Sequence, residues 1–489
     1  MFNKSSDKSF LAKGSRYMVL DNITKVVDPL LVFVCAGLYA GGDWGTFKYY
    51  ESLMLLLMRF SSLGLDKGVI WFHSQISDRK EFLKQFARCV NLTLLIWIVL
   101  GAGVIMARLE IISWPWTNLK APISISSAYL GIFLLTVPLQ VLTLLFLQAL
   151  VGKKVLFPTA MVKNIILPLM TYGTALLLFF TPLKAEALGM SLLLGCFAGL
   201  LVSAGIFFHY YRPSIKDWSF HPLPGMRLLK FSLPLASTEF FMSFAVRVDL
   251  LLLAQYAGVK TLEVYSIVVI VANSLRSIRQ SFENILLAIF SKSDNHRVNR
   301  EQKEVYNYVC WLIMSIQTPI LILFIMLGSE LLGLISSGYV IGHWALVIVT
   351  IFIFINTPGA FSGTLMMGLG KTYIIPVSQV MFFISSVSLN YLLIPQFGIL
   401  GAAIASGFSV FLGGQICFIA CNFFSEGFLL SRHLIMRLGA GLVVFAPSLV
   451  FFFHAGGGII VRAVMFIVPL VIYAAYSWRN WRHFNEQIK

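Results

Sequence analysis

Apolar runs of about 20 residues or more recur from one end of this 489-residue chain to the other, and no other feature constrains its fold so strongly. At ~1.5 Å of helical rise per residue, each run can cross a ~30 Å hydrocarbon layer. Fourteen are read, near 14–40, 46–73, 84–108, 122–151, 154–180, 185–211, 226–256, 260–291, 303–334, 341–368, 371–396, 399–423, 432–455 and 459–482. With 58% hydrophobic and 12% charged residues and a mean hydropathy of +0.84, the chain carries more apolar surface than a soluble core can hide. The expected fold is all-α: a polytopic membrane protein of about 14 transmembrane helices, with no soluble domain between them. The basic residues 1–17 lead into a segment too long and too charged for a cleaved signal peptide, so the amino terminus is expected to be retained.

The net charge of +16 is spread over alternate loops. Lys4, Lys8 and Lys13 precede the first span; Arg79, Lys80, Lys84 and Arg88 follow the second; Lys153 and Lys154 follow the fourth. The series continues through Arg212, Lys216, Arg227 and Lys230, then Lys292, Arg297, Arg300 and Lys303, then Lys371, Arg432 and Arg437, and Arg479, Arg482 and Lys489. Intervening loops such as GGDWG (41–45) and PQFGILG (395–401) are short and poor in Lys and Arg. By the positive-inside rule both termini are expected in the cytoplasm. Basic residues scattered over eight segments argue against nucleic-acid binding, which gathers them on one face.

A shift of about 217 residues lays the first two spans on the seventh and eighth. Tyr39-Ala40-Gly41 falls on Tyr256-Ala257-Gly258, Arg59 on Arg276, and Asp66 on Glu283. One further residue of shift brings Gly152-Lys153 and Pro158 onto Gly370-Lys371 and Pro376. Six spans per repeat give both halves the same orientation, as in a transporter built from two like bundles about an axis along the membrane normal. The expected division is an N-lobe over 1–220 (helices 1–6), a C-lobe over 221–425 (helices 7–12), and two additional helices with a cytoplasmic C-terminus over 426–489.

Ionisable groups near a bilayer centre cost about 2.5–3.5 kcal/mol on insertion scales, so they are expected to face water or a partner. The first span carries Asp21, Lys25 and Asp28; the second carries Arg59, with Asp66 and Lys67 further on; the seventh carries Glu239, Arg247 and Asp249. The eighth runs through SLRSIRQSFE, with Arg276, Arg279 and Glu283 along one stripe. Counted by helical rise, Lys25, Asp28, Arg59, Glu239, Arg276 and Arg279 occupy one level, and they are expected to line a cleft between the halves. One reading cancels these charges in pairs that pin helices together, for example Glu239 with Arg276 or Asp28 with Arg59. The other holds Arg59, Arg276 and Arg279 ready for an anionic headgroup, since a guanidinium grips phosphate in two places; Lys25, Arg247 and Lys163 add positive charge. Asp28, Glu239, Glu283, Asp21, Asp66 and Asp249 then balance charge or take up a proton or sodium ion, and no other cofactor is expected.

GLGKT (368–372) lacks the first glycine of a phosphate loop, because position 365 is leucine. FINTPGAF (354–361) is an expected helix kink at Pro358 and Gly359. The six cysteines read as small buried hydrophobes, and the eight histidines show no metal-ligand spacing.

LGLDKGVIWF (63–72), LLKFSLPLASTEFF (228–241) and DLLLLAQYAG (249–258) followed by Tyr265 carry a resemblance to the polysaccharide transporters, the Wzx-type lipid-linked oligosaccharide flippases of the multidrug/oligosaccharidyl-lipid/polysaccharide (MOP) superfamily. The resemblance implies two six-helix lobes. It implies a flippase turning undecaprenyl-pyrophosphate-linked oligosaccharide repeat units across the bacterial cytoplasmic (inner) membrane, for O-antigen, exopolysaccharide or capsule. The implied partners are that lipid-linked substrate, membrane lipids, and a polymerase or glycosyltransferases of the same pathway, with a monomer as the plain expectation. Three other functions stay open: a lipid II flippase, which shares 14 helices and a basic cavity; a cation-coupled multidrug exporter; and a membrane enzyme, which would need a catalytic loop or domain that these short loops do not offer.

Overall fold

A computed structural model describes residues 27–76, 78–108, 127–153, 155–184, 186–212, 223–290, 298, 300–425, 430, 439, 443–452 and 458–488. Asp21 and Lys25 lie outside the described residues. The described chain is helical almost throughout. Its sixteen numbered α-helices are α1 (Val27–Leu38), α2 (Asp43–Ser62), α3 (Leu65–Gln75), α4 (Arg79–Arg108), α5 (Ser127–Gly152), α6 (Leu156–Met161), α7 (Leu167–Phe179) and α8 (Ala187–Tyr211), followed by α9 (Met226–Ala245), α10 (Val248–Ala257), α11 (Val259–Phe290), α12 (Arg300–Ile335), α13 (His343–Ile355), α14 (Thr357–Gly368), α15 (Ile374–Phe423) and α16 (Ile459–Ile488). Among the described residues, ten stretches are long and apolar enough to cross a membrane, and Val27–Leu38 and Val443–Phe452 are shorter apolar helices. Large side chains such as Leu177, Phe180 and Leu334 stand more than 70% exposed, a surface suited to acyl chains rather than water.

The sequence places breaks inside several spans. The second divides into α2 and α3 at Leu63 and Gly64, both in the left-handed region (φ 42° and 67°). The fifth passes from α6 through a π-helical turn, Val162–Ile166, into α7. Pro168 lies just beyond that turn; it has no N–H for the carbonyl of Asn164, and the wider turn relieves the clash of its ring. The expected kink in FINTPGAF lies between α13 and α14, where Pro358 occupies the first turn of α14. The eleventh and twelfth spans are joined within α15, but Gly398 (φ 53°, ψ −123°) is not helical. A Cβ on Gly401 would lie 2.3 Å from the carbonyl oxygen of Leu393, and Ser378 Oγ donates to the carbonyl of Gly413 at 2.7 Å. Residues so far apart along one straight helix could not meet, so the chain folds back at Gly398 into an antiparallel pair.

Two compact units emerge: Met1–Arg247 with Gly258–Glu263, and Val248–Ala257 with Val264–Lys489. In the first, the entry to α2 is fixed by Glu263, whose carboxylate accepts the amides of Gly41 (3.0 Å) and Gly42 (2.6 Å). Those amides belong to the open end of a helix, where a carboxylate is the natural partner. In the second, Gln317 Nε2 donates to the carbonyl of Leu275 at 3.0 Å, while Thr357 Oγ1 donates to Gln317 Oε1 at 2.9 Å. One amide thus ties α11, α12 and α14 beside Arg276.

Each unit retains traces of the repeat read from the sequence. Lys153 Nζ stands 4.5 Å from the ring centroid of Tyr211, and Lys371 Nζ stands 5.0 Å from that of Phe424. Both lysines follow a glycine at a helix corner, and the next helices, α6 and α15, begin 218 residues apart.

Candidate functional site: buried charges in each unit

In the first unit the second and seventh spans meet at small residues. A Cβ on Gly64 would stand 2.6 Å from the carbonyl oxygen of Ser232 and 2.9 Å from the nitrogen of Ala236, and one on Gly68 would strike Ser232 Oγ at 2.2 Å. Glycine is required at 64 on both counts, the left-handed turn and the close backbone. That approach brings Glu239, one turn beyond Ala236, to the charges of α2 and α3. Arg59 Nη1 lies 3.5 Å from Asp66 Oδ2 and 3.6 Å from Glu239 Oε2, and Lys67 pairs with the other oxygen of Glu239. Two cations and two carboxylates therefore form one neutral network. Asp66 is 4% exposed, and its Oδ1 has no hydrogen-bond partner among the described residues. The carboxylates that meet Arg59 are Asp66 and Glu239, so the pairing of Asp28 with Arg59 is not the one formed.

Asp28 is exposed on α1, within electrostatic reach of Lys48 and Glu51. Those two form an ion pair of 2.6 Å inside the unit, their side chains 10% and 21% exposed. Trp44 and Phe47 hold the ammonium at 4.8 and 5.4 Å from their ring centroids. The sequence reading passed over this pair, although a Lys and a Glu spaced three apart inside an apolar span is the same signal that singled out Arg59. Removing one member leaves a largely buried charge without its partner, at a cost of up to about 3 kcal/mol, since part of each side chain still reaches solvent. Glu51→Gln is accordingly expected to lower the thermal midpoint of the detergent-purified protein, and the double change Lys48→Met, Glu51→Leu to recover most of that loss.

Arg247 follows α9, where its Nη1 donates to the carbonyl of Ser243 at 3.0 Å. Lys163 sits in the π-helical turn with an exposed side chain.

In the second unit, Arg279 pairs with Glu283 one turn along α11. Arg276 is half-buried and makes no hydrogen bond or ion pair among the described residues. It lies about 25 Å from one end of α11 and about 21 Å from the other, at ~1.5 Å per residue. Asp249 is 5% exposed; its Oδ2 accepts from Ser406 Oγ (2.8 Å) and Tyr265 OH (3.1 Å), and its Oδ1 from the amide of Leu250 (2.7 Å). No cationic side chain lies within 4 Å of it among the described residues. Three donors of this kind can hold a carboxylate in either protonation state, or share it with a small cation. Glu263, the cap of α2, is a further buried carboxylate that the sequence reading left out.

The long apolar helices define the class, a polytopic membrane protein, and the fold is one that solved members of the MOP superfamily share. The lipid II flippase MurJ in an inward closed conformation superposes with a TM-score of 0.70 at 13% identity, covering 95% of this chain and 99% of that one. An inward-facing multidrug resistance MATE family transporter gives 0.62 at 13% identity, over 86% and 98%. A MOP superfamily transporter from Pyrococcus furiosus, described as having a binding pocket of reverse polarity, gives 0.53 at 14% identity, over 82% and 95%. The family named polysaccharide biosynthesis protein matches residues 42–340, more than half of the sequence, and this chain belongs to it. No curated protein sequence matches.

Proposed function

We propose that this protein is a flippase that moves undecaprenyl-pyrophosphate-linked oligosaccharide repeat units across the bacterial cytoplasmic membrane by alternating access. The observation that carries the reading is Arg276, a half-buried guanidinium in the middle of a spanning helix that makes no hydrogen bond or ion pair among the described residues, with Asp249, Tyr265 and Glu283 acting on it only at longer range. A permanent charge at that depth is costly unless something anionic visits it. A pyrophosphate is such a visitor, and its bidentate geometry suits arginine. Arg279 and Arg59 are further candidates to hold phosphate oxygens, each in place of the carboxylates it now meets, and Lys25, Arg247 and Lys163 are candidates to add positive charge for the substrate. Membership of a polysaccharide biosynthesis family supports an oligosaccharide cargo.

On this proposal the chain has 14 spans, in two six-helix lobes over 1–220 and 221–425 followed by two helices over 426–489, with both termini in the cytoplasm. It acts as a monomer alongside the polymerase and glycosyltransferases of its pathway. Asp249 is the chief candidate for coupling to a proton or sodium ion, with Asp21, Asp28, Asp66, Glu239 and Glu283 balancing charge. Substrate and ion drive the cycle because each stabilises a different state. Deleting the gene is expected to remove one surface polysaccharide and to leave its lipid-linked repeat unit accumulating on the cytoplasmic side.

The likeness to MurJ over nearly the whole of both chains favours a second reading, transport of lipid II. Expression in cells depleted of their lipid II flippase separates the two: rescued growth supports lipid II, and unrescued growth with restored polysaccharide supports the first.

A further inference from the structure

A second basic site lies away from the mid-membrane charges, at the end of the first unit that carries the basic loops. His73, at the end of α3, Asp78 and Arg79, at the start of α4, and Lys153, after α5, surround a cavity of about 220 Å³ floored by Phe82 and Tyr211. The glycine before Lys153 makes room for the imidazole: a Cβ on Gly152 would stand 3.0 Å from the Cβ of His73. The ring of His73 meets Phe82 edge-on at 4.7 Å between centroids and Tyr211 at 6.0 Å.

The polar groups are only partly used. Lys153 Nζ donates one bond, to the carbonyl of Tyr210 at 2.6 Å, and Arg79 Nη2 donates to the carbonyl of Arg212. A lysine has three such donors and an arginine five. The carboxylate of Asp78 is turned to its own backbone, accepting the amide of Lys80 at 2.9 Å, so it caps α4 instead of pairing with either cation. Among the described residues, two cations, a histidine and the positive end of a 30-residue helix thus face one small space with one carboxylate, that of Asp78, already turned to its own backbone. Partial burial, and then the charge of Arg79, hold Lys153 below the usual lysine range. An anion in the cavity would relieve that repulsion and use the idle donors.

We propose that this cavity binds a phosphate group, with Lys153 and Arg79 donating to its oxygens and His73 closing one side. Basic pockets at the ends of membrane helices recognise phosphate on lipid head groups, and a soluble phosphate offers the same chemistry. The inference is independent of the transport reading, since none of these residues belongs to the mid-membrane set.

The test follows thermal unfolding of the purified full chain against two probes. One is sodium phosphate in detergent, compared with sodium chloride at equal ionic strength; the other is dioleoyl phosphatidic acid doped into phosphatidylcholine nanodiscs. A saturable rise of the midpoint by about a few degrees is expected with at least one probe, as mass action requires of a ligand that binds only the folded state. Lys153→Met and Arg79→Gln are each expected to raise the half-saturating probe concentration on the order of tenfold, the loss of one charge-assisted bond. Lys153→Arg is expected to retain the response, and so is Lys371→Met, the counterpart beside Phe424. A response to phosphatidic acid alone identifies a lipid head group, and a response to both shows that free phosphate suffices. If neither probe shifts the midpoint, the proposal is wrong. It is equally wrong if Lys153→Met and Arg79→Gln unfold earlier but respond as the unaltered protein does, because then the two side chains only cap the end of α8.

Discussion

Arg276→Ala is expected to abolish polysaccharide export in a deletion strain while the protein still accumulates, folded, in the membrane. The side chain makes no hydrogen bond or ion pair among the described residues, so its removal breaks no such bond there and relieves the cost of a charge at mid-membrane. What is lost is a partner for phosphate. Hydrogen bonds to charged groups are worth about 1.5–3 kcal/mol each, and a bidentate grip makes two, so export should fall at least on the order of a hundredfold. Arg276→Lys keeps the charge but not the fork and should fall between the two. Surface polysaccharide measured by gel or antibody, set against the amount of protein extracted from membranes, separates lost activity from lost protein. Unimpaired export by Arg276→Ala would remove the central support of the proposed function.

The second large effect is expected at Asp249. Asparagine has nearly the same shape and its one oxygen can still accept from Tyr265 and Ser406, but its NH2 group then faces the amide of Leu250, and it takes up neither a proton nor a cation in place of a carboxylate. Asp249→Asn is therefore expected to fold with a thermal midpoint lowered by the loss of the Leu250 bond and to lose on the order of 10- to 100-fold of the export driven by an ion gradient, whereas Asp249→Glu keeps part of that export. The comparison that decides is export with and without an ionophore. The unaltered protein should slow when the gradient is collapsed, and the asparagine variant should already be slow and indifferent to it. Equal sensitivity in both would reduce Asp249 to a structural group that ties α10 to Tyr265 and Ser406.

Much of this was legible without coordinates. A span must be apolar and about 20 residues long because the bilayer offers no partner to an exposed amide, so the all-helical membrane fold was written in the length and spacing of the apolar runs. The same penalty made Arg59, Arg276 and Asp249 stand out, since a charge in such a run needs a reason. The two Gly-Lys corners, at 152–153 and 370–371, were visible too. Lys48 and Glu51 were equally legible and were missed because they lie near one end of the second span, where charges are common.

Which partner each charge takes was not written there. Arg59 finds Glu239, 180 residues away, because Gly64 and Gly68 let two backbones approach, and a list of residues does not give that distance. Glu263 caps the start of α2 across more than 220 residues, and Asp249 gathers hydroxyls from two other helices for the same reason. The sequence by itself determined the solvent this protein lives in, its helices and the kinds of charge it buries, because those depend on local composition and on the bilayer's cost for polar groups. Only the tertiary structure decided that Arg59 is neutralised within a network and that Arg276 forms no ion pair among the described residues, since ion pairing depends on a few ångströms between segments that the chain order leaves far apart.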